Sequence, residues 1–583
     1  MHREAFDVVV VGAGHAGCEA AWAAARMGAR TLLLTLNLDH VARMSCNPAI
    51  GGLAKGQLVR EVDALGGLMG VVTDRAGIQF RMLNTGKGPA VRAPRAQADR
   101  QLYTTEMRRV LEEAANLVMR QGVVEEIETQ EGKVTGVRCM DGSSYAARAV
   151  VITTGTFMRG LIHVGQQQYP GGRLGEPPAV GVSKSLADLG FELGRLKTGT
   201  PPRVNGLTVR LSDLEKQGGD EPPKPFSFST ERLDRPQLPC YVTYTNARTH
   251  EIIRANLDRA PLYTGQIKAT GPRYCPSIED KVVRFSDKDR HQIFLEPEGL
   301  NTHEMYANGI PTSLPVDVQE EMVHSIEGME QARIVRYGYA IEYDFLPPTQ
   351  LWPSLETKRV RGLFCAGQIN GTSGYEEAAG QGIMAGINAA LFLCGKEPLV
   401  LRRDEAYIGV LIDDLVTKGT QEPYRLFTSR AEYRLLLRQD NADRRLMGHG
   451  FRLGMVDAAT HARLVEKEKA IAETLAFLAA TRKGEHTLLE TLRRPEVRWA
   501  DLVALSPELA GRAVAPDVVE QVEIEAKYAG YVERQRRQAA KLADLEAWAA
   551  PDDLDYDAVH ELSNEARQKL KAVRPLTLAQ ASR

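Results

Sequence analysis

The sequence predicts an α/β fold on a parallel sheet, interrupted by inserted segments and followed by an all-helical C-terminal domain. Three observations carry this reading. Residues 6–34 run strand, glycine turn, helix, strand; the pattern returns at residues 362–392 after a proline-rich interruption; and the chain turns helical from about residue 403. The 583 residues hold roughly four domains' worth of chain, enough for several cores.

The first strand is expected at residues 6–11, whose four-valine run at residues 8–11 suits a strand buried on both faces. Residues 12–17 form the turn, residues 18–27 an alanine-rich helix closed by Gly28, and residues 31–34 the second strand. A helix follows at residues 100–115. Strands come next near residues 122–127 and 134–138, with an Asp141-Gly142 turn, and a buried strand lies within residues 149–157. Between residues 199 and 240 stand seven of the 29 prolines, a density that excludes a long helix. Extended segments and loops are expected there, running to about residue 345. Residues 362–366 give a short strand and residues 376–392 a helix of small residues. In the C-terminal part, Leu464, Ile471, Leu475 and Leu478 keep one helix face apolar, and Pro516 opens a long helix that Pro551 closes. The domain division is therefore 1–200, with a basic insertion near 70–100, then 201–345, 346–402 and 403–583.

Composition narrows the function classes. Hydrophobic residues make 43% and charged residues 25%, which excludes a disordered or fibrous chain. Lys plus Arg total 73 against 75 Asp plus Glu, so any nucleic-acid contact must come from a local patch. No run of about 18 apolar residues exists to cross a membrane. Seven cysteines without tight spacing argue against a disulfide framework and against a zinc ribbon, and point to reducing cytoplasm. With no CxxC and no HExxH, no metal is expected.

Four features carry chemistry. The turn reads Gly12-Ala13-Gly14-His15-Ala16-Gly17, a GxGxxG after a strand and before a helix. Gly12 allows the tight turn, Gly14 lets the backbone approach a pyrophosphate, and Gly17 lets helix and strand pack closely. The acid expected about 20 residues on is missing, since the second strand ends Thr35-Leu36-Asn37, so ribose recognition must differ. His15 is read as lining the cofactor. Two further strand–glycine–helix segments, 149–157 and 362–382, favour FAD, which is long and touches several strand ends.

The third feature is a pair of loop cysteines. Cys46 has Arg43 and Lys55 nearby, and Cys275 has Arg273 and Lys281; such neighbours favour a thiolate. Cys18, Cys139, Cys365 and Cys394 read as packing residues, and Cys240 is left open. The fourth feature is basic. In residues 74–100, Arg75, Arg81, Lys87, Arg92, Arg95 and Arg100 outnumber Asp74 and Asp99. In residues 423–445, Arg430, Arg434 and Arg438 recur every four residues, as on one helix face, with Tyr424, Phe427 and Tyr433 between them. Basic side chains among aromatics suit phosphates and unstacked bases, although a solvated face reads the same way.

Long motifs then bring a family into view: GPRYCPSIEDK (271–281), AGQINGTSGYEEAAGQG (366–382), MSCNPAIGG (44–52), RLKTGTPPR (195–203), HQIFLEPEG (291–299), GYAIEYDF (338–345) and EPYRLFTSRAEYRLLLRQDNAD (422–443). Across nearly its whole length the chain resembles the flavoprotein subunit of the tRNA uridine 5-carboxymethylaminomethyl modification enzyme, the MnmG/GidA family. The resemblance implies a Rossmann-type FAD domain with two insertions and a C-terminal helical domain, dimeric in the cytoplasm. It implies that, with the GTPase MnmE in a heterotetramer, the enzyme adds a carboxymethylaminomethyl or aminomethyl group to C5 of the wobble uridine of certain tRNAs. NADH would reduce the FAD, methylenetetrahydrofolate would give the one-carbon unit, and glycine or ammonium the amine.

By matching position, the resemblance assigns FAD contacts to the glycine turn, Val124, Gln368 and Ala179, the last through backbone because the family often has Ser there. It assigns the proposed NAD-binding stretch to Gly271, Pro272, Arg273, Tyr274, Cys275, Pro276, Ser277, Ile278, Glu279, Asp280, Lys281, Val282, Val283, Arg284 and Phe285, and functional thiols to Cys46 and Cys275. The family usually continues past a Gln-Ala-Ser-Arg like residues 580–583 with a further helical segment, which bears on GTPase docking. The chemistry is coherent: a thiolate adding at uracil C6 makes C5 nucleophilic, and a flavin relays hydride. A related folate-dependent tRNA uracil methyltransferase and a non-catalytic RNA-binding flavoprotein are the alternatives. Residues 403–583 count against the first and the loop cysteines against the second.

Overall fold

The computed structural model describes residues 4–271, 276–551 and 553–582. Its central sheet has five parallel strands in the order Leu117–Gln121, Thr31–Thr35, Glu4–Val11, Ser144–Ile152 and Leu363–Cys365. Val8 lies opposite both Thr31 and Ala149, and Val8, Val9 and Val10 are fully buried between these neighbours. The valine run at residues 8–11 is thus the middle of the sheet. Lys133–Cys139 and Val124–Gln130 extend the sheet as an antiparallel meander, turning at Asp141-Gly142.

Helix His15–Arg26 covers one face and packs along Tyr375–Leu393. Small residues make this approach possible. A Cβ on Gly382 would stand 2.2 Å from the Ala16 carbonyl oxygen, and one on Gly386 would stand 2.3 Å from that of Ala20. The small-residue pattern read at 376–392 is therefore a packing device between the two helices nearest the sheet.

The insertion differs from the loops and extended segments expected of it. No α-helix forms within residues 199–240, as the prolines require, yet the remainder builds a second core. A six-stranded sheet runs Glu215–Gln217, Cys240–Tyr244, Gln292–Pro297, Glu304–Asn308, Arg203–Asn205, Ile334–Arg336. It is covered by helices Ala247–Ala255, Ile278–Arg284 and Val316–His324, with Ile253, Leu295 and Met322 at its centre. Between the two bodies, Gly194–Thr200 pairs with Tyr339–Phe345 in a four-stranded sheet. The basic stretch 74–100 contributes strands Gly77–Leu83 and Ala93–Ala98 to a three-stranded sheet.

The helical domain starts later than residue 403. Leu401, Tyr407, Leu411, Leu437, Leu446 and Met455 all belong to the first core. A separate core, with Ile471, Leu478, Leu492 and Val522, is built from helices Ala458–Ala480 and Pro516–Glu546 and the short helices between them. Among the described residues no helix is long and apolar enough to cross a membrane, and no cluster of His, Cys, Asp or Glu could hold a metal.

Candidate active site

One cavity of about 680 Å³ opens at the carboxyl ends of the parallel strands. Gly12, Ala13, Gly14, His15, Ala16, Val124, Ala179, Gln368 and Cys46 all line it, although they come from five separate segments. Gly12 has φ +102°, and a Cβ there would stand 2.6 Å from the Thr153 carbonyl oxygen. Thr153 Oγ1 donates to the Gly12 carbonyl at 2.8 Å and fixes the turn. A Cβ on Gly14 would meet no protein atom within 4 Å. Gly17 does not line the cavity: a Cβ there would lie 1.7 Å from the Gly12 carbonyl oxygen, so its smallness serves helix–strand packing. The helix begins at Gly14 with no capping side chain and no acid in its first turn, which leaves a partial positive charge facing the cavity.

Two buried polar atoms of this wall, His15 Nε2 and Thr154 Oγ1, have no hydrogen-bond partner among the described residues. The bare helix end, the open approach at Gly14 and these two atoms together fit a dinucleotide. Asn37, at the end of the second strand, accepts from the Asp39 amide at 2.8 Å and caps the turn that follows. Leu36 and Asn37 both reach the cavity, so no carboxylate marks the ribose end of this strand. His15 stacks on Tyr375 with ring centroids 4.5 Å apart. Burial, with Arg173 and Lys55 nearby, pushes its pKa down to about 3, so the ring is neutral. The Ala179 amide, where a backbone contact is expected, donates to the Phe157 carbonyl at 2.8 Å, and its carbonyl accepts from the Arg159 amide at 3.0 Å.

Cys46 stands at the cavity wall with its sulfur 2.9 Å from the Tyr306 hydroxyl. Its amide donates to Tyr375 Oη at 2.6 Å, and Arg203 Nη2 donates to the carbonyls of Ser45 and Cys46, each at 3.1 Å. The cations expected beside the thiol are committed elsewhere. Lys55 pairs with Glu376 at 2.7 Å, and Arg43 binds His40 and approaches Glu176. Arg203 takes their place, held by Glu298 at 3.2 Å and lying 4.9 Å from the Tyr306 ring centre. Tyr306, Tyr375 and Arg203 went unsingled in the sequence because strand and loop partners more than 150 residues away leave no local signal. Only the motifs 195–203, which ends on Arg203, and 366–382, which contains Tyr375, touched two of them.

Residues 272–275, and with them Cys275, lie outside the described residues. Of the rest of the stretch 271–285, only Pro276 and Lys281 line the cavity. Lys281 Nζ donates to the Gly309 carbonyl at 2.6 Å. Ile278 and Val282 are buried in the second core, Glu279 accepts from Thr312 Oγ1 and the Ser313 amide, and Val283 and Phe285 are exposed. Ser277 caps the helix, with Asp280 and Arg284 on its outer side. In the described part of this stretch the cavity residues are thus Pro276, just before the helix Ile278–Arg284, and Lys281 on it.

The remaining cysteines divide differently from the expectation at one position. Cys18, Cys139 and Cys365 are buried, and burial pushes the Cys365 thiol up to about 12; Cys394, read as a packing residue, is exposed. Cys240 is buried against Gln97 and Gln79.

The arginine face also needs correction. Arg430 ends a short 3₁₀ turn, Thr428–Arg430, and residues 431–438 form turns, so no helix aligns the three side chains. Arg430 donates to the Arg425 carbonyl at 3.0 Å and lies over Tyr424. Arg438 is buried, bound to Asp440 at 3.0 Å and to the Leu435 carbonyl at 2.8 Å. Only Arg434 is exposed. None of the three lines the cavity, but Arg425 and Phe427 of the same segment do. The earlier basic stretch is partly neutralised too, with Arg95 bound to Glu296 and Arg100 to Glu298.

Comparison with known proteins matches these features along the whole chain. A family model described as glucose inhibited division protein A covers residues 7–397. Models described as the tRNA modifying enzyme MnmG/GidA C-terminal helical domain and helical bundle cover residues 458–536 and 538–583. The tRNA uridine 5-carboxymethylaminomethyl modification enzyme MnmG of Geobacter sulfurreducens is 59% identical over 100% of this chain and 96% of its own. Its counterpart in Thermodesulfovibrio yellowstonii is 55% identical over the same shares. The structure of Aquifex aeolicus GidA in one crystal form superposes with a TM-score of 0.93, at 51% identity, over 99% of this chain and 96% of that one. With its sheet, insertions and helical domains all matched, the chain belongs to the MnmG/GidA family of tRNA-modifying enzymes.

Proposed function

We propose that this chain adds a carboxymethylaminomethyl or aminomethyl group to C5 of the wobble uridine of tRNA, with FAD seated in the cavity and Cys46 as the attacking sulfur. The observation that carries the reading is the meeting of Cys46 with the Gly12–Ala16 turn in one cavity, although the two lie about 30 residues apart on separate loops. Gly12, Gly14 and the helix end beyond them would hold the pyrophosphate, Val124 the adenosine end, and Gln368 the ring end. When bound, FAD supplies reversible hydride transfer.

The chain's own residues do the rest. The Cys46 thiolate forms a sulfur–carbon bond at uracil C6, and the C5=C6 electron pair moves onto C5 and the C4 oxygen, so that C5 attacks the carbon of a one-carbon iminium, whose C=N electron pair moves onto its nitrogen. Loss of the C5 proton and departure of the sulfur restore the ring. His15, neutral and stacked on Tyr375, closes the wall between cofactor and thiol without adding charge. Arg434, exposed on the 431–438 turns, and Arg425 at the cavity are the cations placed for phosphate contact. The reading includes NADH as reductant, methylenetetrahydrofolate as one-carbon donor, the GTPase MnmE as partner, a homodimer, and the cytoplasm as location.

The test is mass spectrometry of nucleosides from tRNA incubated with this protein, the GTPase partner and the cofactors. Modified uridine that depends on this chain and on released FAD supports the reading. Unmodified tRNA in the presence of flavin-loaded protein and every co-substrate overturns it.

A further inference from the structure

The Cys46 sulfur has a neighbour that no sequence motif announced. Tyr306 belongs to strand Glu304–Asn308 of the insertion, 260 residues from Cys46, and its hydroxyl lies 2.9 Å from that sulfur. Tyr306 is only 2% exposed, so the phenol is shielded from bulk water, while Cys46 is half-buried at the cavity wall. The neighbouring groups fix both partners. The Cys46 amide is held by Tyr375, its carbonyl by Arg203, and the guanidinium of Arg203 lies against the ring of Tyr306. Arg203 is anchored in turn by Glu298, Thr200 Oγ1 and the Pro201 carbonyl. Such anchoring leaves the phenol and the sulfur little freedom to separate.

A phenol beside a sulfur can either donate to a thiolate or accept from a thiol. The surroundings select the first. A cation against the ring and at the Cys46 carbonyl favours negative charge on the pair, and a half-buried thiolate gains from a donor on the side that water does not reach. We propose that Tyr306 donates its hydroxyl hydrogen bond to the Cys46 thiolate and is the positioning residue that keeps this sulfur anionic and aimed into the cavity. In that state the thiol has released its proton to solvent and the phenol keeps its own. The proposal rests on the reading of Cys46 as the attacking sulfur and names what makes that sulfur reactive.

The experiment reads thiol ionisation directly, apart from tRNA chemistry. Iodoacetamide alkylation of Cys46 in the full chain is followed by peptide mass spectrometry from pH 5 to 10, alongside the melting temperature. In Tyr306→Phe the midpoint of the rate profile should rise by about one to two pH units, the loss of one hydrogen bond to a charged group. With 2-fluorotyrosine at position 306, which nearly keeps the shape and makes the phenol a slightly stronger donor that still holds its proton, the midpoint should fall. This second arm holds even if the Phe variant folds poorly. An unchanged midpoint in both variants, or a lower one in Tyr306→Phe, overturns the proposal. The underlying reading fails separately: if Cys46→Ser modifies tRNA at the wild-type rate, Cys46 is not the attacking sulfur, whatever the alkylation profiles show.

Discussion

Two glycines of one motif should fail in different ways when replaced. Gly14 has φ −73° and ψ −175°, a conformation open to any residue, and its Cβ direction meets no protein atom within 4 Å. Valine there costs the fold only the weaker helix cap, less than about 1 kcal/mol. Its branched side chain stands where a pyrophosphate must approach, so FAD affinity should fall at least tenfold, about 1.4 kcal/mol or more. Gly17 is the reverse case. Alanine within a helix normally gains about 0.5–1 kcal/mol over glycine. Here its Cβ would sit 1.7 Å from the Gly12 carbonyl oxygen and 2.8 Å from Thr153 Oγ1, so the helix end must shift by more than 1 Å. Overpacking of this kind costs about 1–3 kcal/mol or more, which outweighs the helical gain. The assay is flavin absorbance per chain together with the melting temperature of flavin-free protein. Gly14→Val should melt like the wild type yet hold little flavin; Gly17→Ala should melt lower even without flavin. A Gly14→Val protein with full flavin content, or a Gly17→Ala protein with wild-type melting, would refute the reasoning.

Other variants test the remaining assignments. Cys46→Ser should keep fold and flavin but lose most tRNA modification, whereas Cys365→Ser should lower the melting temperature, because a fully buried hydroxyl in an apolar strand costs about 1–3 kcal/mol; equal modification by wild type and Cys46→Ser is the contrary result. Arg434→Ala should weaken tRNA binding and flatten its salt dependence at unchanged stability, while Arg438→Ala should destabilise by about 3–5 kcal/mol by leaving Asp440 buried without its partner; calorimetry and filter binding separate the two. His15 has its pKa lowered to about 3 in the folded chain, so it contributes stability above its ordinary pKa near 6.5 that is lost as pH falls toward 3. His15→Asn should therefore lose less stability than wild type between pH 6.5 and 4, by at most about 1.4 kcal/mol per pH unit, and parallel melting curves would contradict this.

The parts of the fold that were legible are those set by neighbours in sequence. The glycine turn, the buried valine strand and the small-residue helix each announce themselves within about 20 residues. The contacts around Cys46 do not, because Tyr306, Tyr375 and Arg203 reach it from 157 to 329 residues away. The arginine face misled for a physical reason. Residues 428–438 have the spacing and propensity of a helix, but side chains take the carbonyls that a helix would use. Arg430 occupies the Arg425 carbonyl, Arg438 that of Leu435 and Asn441 that of Leu436, and the Leu435 amide bonds to Gln535 on the long helix. Tertiary partners thus outbid local preference over this stretch. The late start of the helical domain was hidden likewise: residues 401–456 are largely helical in pattern, and only packing shows which core they serve.

That packing also decides where the molecule can bend. Glu61, fully buried, accepts the amides of Tyr407 and Ile408 at 2.9 and 3.0 Å and pairs with Arg445 at 2.9 Å, so residues 401–456 are riveted to the body that holds the cavity. Beyond Asp457 the joint changes character. Arg444 meets Glu468 and Glu525, Lys467 meets Asp443 at 2.8 Å, and Gln521 and Gln535 bond to Asp440 and to the Leu435 amide, so polar and ionic contacts dominate this seam. Charged seams loosen with ionic strength while greasy ones do not. Any swing of the C-terminal helices would therefore pivot at residues 456–457, and salt would govern its ease independently of its effect on RNA phosphates. A chain cut after residue 402 would lose part of its central core, whereas one cut after 456 would lose the separate helical core together with this seam and the contact of Lys358 with the Val573 carbonyl.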